Sequence, residues 1–275
     1  MKSVIAMVVV VLAVVAGWFV LRQPPPSPTL AGTPPPAQQV STPEPREPAE
    51  PEVKFPIEQV ADGAAAPAPA GGPGAAAPAE AVPELEESDG AASAWAEASV
   101  GEATVKALLP EHLVRRVVAS VDNLSRERVS PRLWPVATAK GLPEVTRSEQ
   151  GLFLAPVNAR RYATYVAMAE SADVDALVAG YKRLYPVFQQ AYRELGYPTG
   201  NFNDRLVAVL DHLIAAPEVE GPIPLVQPKV IYQFADPELE ALSAGQKMMV
   251  RMGPDNARRI KARLRVIRQR LVGQR

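Results

Sequence analysis

Apolar residues recur at helical spacing through most of the last 170 or so positions of this chain, and the polar residues between them mark where each helix starts and stops. Leu108, Leu109, Leu113, Val117 and Val118 fall on one helical face, with Pro110 near the start of the longer helix, where its missing amide is tolerated. The runs SPRLWP and KGLPE then punctuate a loop, and Gly151 to Leu154 reads as a short strand. Asn158 to Ala169 predicts a helix carrying Tyr162, Tyr165 and Val166, and Asp173 to Leu195 a longer one closed by Gly196. Phe202, Leu206, Val209, Leu210 and Leu213 repeat the helical period, which puts Asn201 at the N-cap and lets Asp204 reach the unpaired amides of the first turn. Leu225 to Phe234, with Val226, Val230, Ile231 and Tyr232, is extended in character after a group of prolines. Ser243 and Gln246 form a capping-box pattern for a helix ending at Gly253, and Pro254 suits the first turn of the last helix. The fold predicted for residues 104–275 is mainly α, a single helical domain with one or two short extended segments.

Ahead of this body the pattern changes in kind. Val4 to Leu21 is an uncharged apolar run of 18 residues, near the lower limit for a helix crossing the hydrocarbon core, with Trp18 near its outer end. A cleaved signal peptide is the rival reading, because Val14 and Ala16 suit the small-residue positions before a cut. The apolar run continues to Leu21, which favours a retained transmembrane anchor over 4–21 behind a cytoplasmic stub of residues 1–3. Lys2 on one side faces only Arg22 on the other, and the acidic segment that follows favours a periplasmic C-terminal domain on a single-pass inner-membrane protein.

Residues 22–103 are rich in Pro, Ala and Glu and too poor in large apolar side chains to offset the entropy of ordering, so they read as a disordered linker. A tether of about 80 such residues spans roughly 50 Å as a coil and about 250 Å as polyproline II. Phe55 and Ile57, in VKFPIEQV, form a short apolar cluster within it, readable either as a docking segment for a partner or as a chance cluster in a spacer.

Composition sharpens this division. The net charge of -1 conceals opposite halves: residues 1–103 hold 4 Lys or Arg against 13 Asp or Glu, leaving 25 against 17 in the rest. The absence of cysteine excludes disulfides, thiolate nucleophiles and cysteine-ligated zinc. No GxGxxG follows a strand, and there is no GxxxxGK, GxSxG, HExxH or carboxylate-rich metal loop, so no cofactor or metal is expected.

Three stretches carry a family likeness: LVRRVVASVDNL at Leu113 to Leu124, YPVFQQAYRELGYPTGNFNDRLV at Tyr185 to Val207, and QPKVIYQFADPELEALSAGQKMMVRMGPDNARRIKARL at Gln227 to Leu264. Through them the body resembles the bacterial domain of unknown function 3014 family. That resemblance implies a membrane-anchored envelope protein and supplies no established reaction.

Three groups of side chains are candidates for function. Asp204, Arg205, Asp211 and His212 are related by about two turns of one helix, so Asp204, Asp211 and His212 could supply carboxylates and an imidazole for acid/base work; capping and ion pairing compete for the same residues. Tyr181, Tyr185, Phe188 and Tyr192 form an aromatic stripe, readable as core packing or as a groove for glycan rings or peptide. Arg258, Arg259, Arg263, Arg265 and Arg268 surround an apolar line on the last helix and offer a basic face to an anionic envelope polymer, lipid headgroups or an envelope protein. Nucleic acid is not expected from outside the cytoplasm, and the lipid bilayer is the partner expected for residues 4–21. The leading expectation is therefore a non-catalytic binding or scaffolding domain on a long tether. The alternative is an enzyme acting on an envelope polymer through Asp204, Asp211 and His212.

Overall fold

A computed structural model describes residues 52–57, 82–101, 111–127, 143–228 and 230–273. The 4–21 anchor and most of the linker lie outside the described residues, as do Leu108, Leu109, Pro110 and the SPRLWP loop. Among the described residues no helix is long and apolar enough to cross a membrane.

The body is mainly helical. A 3-10 turn at Leu85–Glu87 leads into α1 (Ser88–Val100), followed by α2 (Leu113–Leu124). A hairpin of β1 (Val145–Ser148) and β2 (Gly151–Leu154) comes next, then α3 (Asn158–Arg161), α4 (Ala163–Glu170), α5 (Val174–Arg183), α6 (Tyr185–Glu194) and α7 (Phe202–Ile214). After β3 (Pro224–Val226) and β4 (Gln233–Phe234) the chain closes with α8 (Pro237–Ala241), α9 (Ala244–Arg251) and α10 (Pro254–Val272). The strands pair antiparallel in the order β1-β2-β3-β4, with Val145 opposite Leu154, Leu152 opposite Leu225, and Leu225 opposite Phe234.

Helix α7 is the hub: it packs against α10, α2, α6 and α9. Its apolar face buries Phe202, Leu206, Val209, Leu210 and Leu213, as its spacing requires. Phe188 from α6 stacks on Phe202 with rings 5.9 Å apart and 4° from parallel. The Ile260, Leu264, Ile267 and Leu271 line of α10 closes the other side of the core. A smaller apolar cluster of Ile223, Leu225, Phe234 and Val250 seats the sheet on α9.

Three elements differ locally from the sequence expectation. The helix expected over 173–195 breaks at Leu184, because Pro186 in the first turn of α6 offers no amide to the preceding turn and its ring crowds the carbonyl four residues back. The helix expected from Asn158 is likewise split, at Tyr162, into α3 and α4. β1 pairs with the expected β2 strand across a turn in which Gly151 takes φ 122°, a conformation a side chain would strain.

The largest correction concerns the linker, expected to run as an unfolded tether to residue 103. Residues 85–100 of it fold onto the body, with Ala92 and Ala96 fully buried. Their small side chains let α1 lie close to α5, where the Trp95 indole covers Gly180 and donates from Nε1 to the Leu177 carbonyl at 3.1 Å. Asp89 then caps α2 from outside, accepting from the amides of His112 at 2.7 Å and Leu113 at 2.8 Å.

Candidate functional site

The start of α7 brings together most of the polar residues singled out in the sequence. Asn201, in extended conformation, accepts from the Asp204 amide at 3.0 Å and is the expected N-cap. The Asp204 carboxylate turns away from its own helix. Its two oxygens accept the backbone amides of Lys54 (3.0 Å) and Phe55 (2.8 Å), about 150 residues earlier in the chain. Asn203, wholly buried, donates from Nδ2 to the Phe55 carbonyl at 2.8 Å. Phe55 and Ile57 pack against the edge of the core while Pro56 between them is exposed. The apolar cluster in the tether is therefore docked on the body of its own chain, through backbone groups first and two apolar side chains second.

The aromatic stripe lies beneath this site. Tyr181, Tyr185, Phe188 and Tyr192 are all at most 6% exposed, so they form core and present no open groove for glycan rings. Their polar tips nevertheless shape the surface above. The Tyr181 hydroxyl, whose pKa burial raises well above its ordinary value, donates to Asn203 Oδ1 at 3.3 Å and leaves Nδ2 to face outward. Tyr185 donates to Gln189 Oε1 at 3.0 Å, and the same oxygen accepts the Phe202 amide at 2.8 Å while Nε2 holds the Gly200 carbonyl at 2.7 Å. Gly200 passes so close to Tyr192 that an added Cβ would lie 2.8 Å from its ring.

Beside the site sits an ionic knot not anticipated from the sequence. Asp122 on α2, 1% exposed, accepts from Arg205 Nε at 2.9 Å, Arg126 Nη2 at 2.6 Å and the Tyr197 hydroxyl at 3.1 Å. Arg205 also reaches the Asp122 carbonyl and Ser125 Oγ, both at 2.7 Å. The hydrogen bond to Asp122 raises the Arg126 pKa further above its already high value. The clue in the sequence is Asp122 itself, a lone carboxylate on the apolar face of LVRRVVASVDNL.

Asp211 and His212, the other candidates for acid/base work, do not join Asp204. Seven residues separate Asp204 from Asp211, about 10 Å along the axis. Asp211 instead forms a bidentate pair with Arg268 of α10. His212 places Nε2 2.7 Å from Ser243 Oγ, and its pKa is lowered, first by burial and then by the Arg205 charge. The Ser243 hydroxyl is meanwhile the N-cap of α9, accepting the Gln246 amide at 3.2 Å. The second half of the expected capping box is absent, because the Gln246 side chain donates to the His212 carbonyl at 3.0 Å. These contacts join α7 to α9 and α10. Among the described residues no three His, Asp or Glu side chains gather as a metal cluster.

The basic face of α10 is largely neutralised within the molecule. Arg258 pairs with Glu220 at 2.8 Å, Arg259 with Glu170, Arg268 with Asp211 and Arg270 with Asp175 at 3.1 Å. Arg263 donates to the Ala169 and Ala172 carbonyls, which closes the C-terminal end of α4, and Arg265 is exposed. Of the arginines that read as an anion-binding surface, Arg258, Arg259, Arg263 and Arg268 thus fasten α10 to α4, α7 and the loop after α7, and Arg270 adds a tie to α5. An apolar cavity of about 50 Å³ between α1 and α7, with Trp95, Val117, Val178 and Leu210 in its wall, contributes no polar group for chemistry.

Comparison with known proteins adds one result. The family model described as "Protein of unknown function (DUF3014)" matches residues 113–268, more than half of the chain. No curated protein and no solved structure matches it.

Proposed function

We propose, from the premise that this chain belongs to the DUF3014 family, that it is a non-catalytic binding or scaffolding protein of the cell envelope. Residues 4–21 anchor it as a single-pass protein in the inner membrane, and the helical body stands on the periplasmic side. The observation that carries the binding role is the start of α7, where Asn203 and Asp204 grip a peptide backbone. The groups an enzyme would need support the same reading, because Asp204, Asp211 and His212 each serve a different structural partner. Among the partner classes, an envelope protein fits best. An anionic polymer or lipid headgroup would have to displace carboxylates already paired with the arginines of α10.

The separating experiment is complementation of a deletion strain by Asp211→Asn combined with His212→Gln, with protein level measured alongside. Asp211 is about half exposed, so losing its pair with Arg268 costs roughly 1 kcal/mol or less and leaves a folded protein. Full complementation is the expected result, whereas loss of function at a normal protein level would move the assignment to the enzyme. A C-terminal reporter that is active only outside the cytoplasm tests the topology independently.

A further inference from the structure

We infer that Asn203 and Asp204 form a peptide-recognition site whose ligand is a bent segment with an aromatic residue, a proline and an aliphatic residue in succession, occupied at rest by this chain's own Lys54–Ile57 in cis. The inference deepens the binding reading and rests on it.

The chemistry of the contact defines the ligand class. One carboxylate receives two consecutive amides and one buried amide group supplies a donor to the next carbonyl, so three backbone groups of the segment are satisfied by two adjacent residues. Backbone reading alone would accept almost any sequence. Selectivity comes from what flanks it: Phe55 and Ile57 enter the edge of the core, and the residue between them must present its side chain outward. Proline suits that middle position because no amide is requested there and its ring fixes φ, which lowers the entropy lost on docking.

The site is also built before the segment arrives. Asn203 is held by Tyr181, Asp204 is placed by Asn201, and the backbone between Gly200 and Phe202 is pinned by Gln189. Every one of these supports lies within the body, so the receptor keeps its geometry when the segment leaves. Residues 58–81 connect the docked segment to the folded body, and a connection of that length gives an effective concentration on the order of millimolar. The tether therefore acts as a resident competitor, and a partner segment of the same pattern gains the site only by out-competing it.

The test uses the full-length chain in detergent micelles and a fluorescent peptide of residues 50–60, read by anisotropy. In Phe55→Pro/Ile57→Ser protein, which lacks the Phe55 amide and both apolar side chains, the site stands open and the peptide binds. In the unaltered protein it binds at least about tenfold more weakly, and the Lys54 and Phe55 amides are protected from hydrogen exchange. A peptide N-methylated at the Phe55 amide, which changes nothing in the protein, binds the open variant about tenfold or more weakly. Equal binding of the methylated and unmethylated peptides would overturn the backbone reading. Absence of binding to the open variant, with its helical content intact, would overturn the site. Blocking that grows with protein concentration would overturn the cis assignment and put the segment on a second copy. Failure of the peptide together with full complementation by the Asp211→Asn/His212→Gln protein would remove this ligand class and leave the binding reading standing.

Discussion

Asp122 on α2 and Arg205 on α7 meet through a 2.9 Å bond to a carboxylate that is 1% exposed, so the two helices are joined at the buried end of an ion pair. The carboxylate has three side-chain partners, and removing it leaves the Arg205 guanidinium with only the Asp122 carbonyl and Ser125 Oγ. Asp122→Ala should lower stability by about 2–3 kcal/mol, less than the cost of breaking a fully buried pair because both arginines are partly exposed. Asp122→Asn, which keeps the shape and one acceptor, should cost less. Urea unfolding followed by circular dichroism measures both, and a near-neutral alanine variant would mean that water replaces the carboxylate freely.

Trp95 and Gly180 define the seat of α1. A Cβ added at Gly180 would lie 1.9 Å from the Trp95 ring, so Gly180→Ala cannot be accommodated without moving the indole. Overpacking of this kind costs about 1–3 kcal/mol even though alanine favours helix by about 1 kcal/mol. The expected outcome is a lower melting temperature together with a red-shifted tryptophan emission. Higher stability in the variant would show that α1 is not held at this position.

The His212 ring gives the fold a pH dependence of definite sign. Burial, helped by the Arg205 charge, lowers its folded pKa below the ordinary 6.5, so the unfolded chain takes up a proton more readily than the folded one. This contribution to stability is full above about pH 6.5 and is lost as the pH falls from there through the folded value. His212→Gln should flatten the unfolding midpoint between pH 7 and 5 (about the span of an imidazole titration) relative to the unaltered protein. Parallel profiles for the two proteins would assign the acid sensitivity to other groups.

Asn201 is predicted to matter chiefly through its cap, although its side chain also meets Tyr185. Asn201→Ala removes the acceptor for the Asp204 amide and should cost about 1 kcal/mol, whereas Asn201→Gly should cost only a few tenths. Thermal unfolding of the pair distinguishes a lost cap from a general loss of packing, which would penalise glycine as heavily as alanine.

Helix positions were legible where apolar spacing and a polar cap coincide. Asn201 with Phe202 and Leu206 marks α7, and Pro254 with the Ile260 to Leu271 line marks α10. The break at Leu184 was obscured because the aromatic period runs straight through Pro186. Helix α1 was hidden for a different reason: its buried residues are alanines in an alanine-rich tract, and only Trp95 separates them from the spacer around them. The site was half legible. Asp204, Tyr181 and Phe55 were each noted, but their meeting depends on a contact across about 150 residues that no local pattern encodes. The pairing of the α10 arginines was not legible, because sequence gives the sign of a side chain and not the carboxylate that the fold sets opposite it.

The docking of Phe55 also decides how mechanical load would enter the molecule. The chain touches the body at Lys54–Ile57 and again at Val82, so 24 residues of sequence separate its first two attachments. A pull from the amino-terminal side is borne first by the three backbone hydrogen bonds to Asn203 and Asp204, and reaches α7 before it reaches α1. The docked segment therefore stands between a pull from that side and the core of the body.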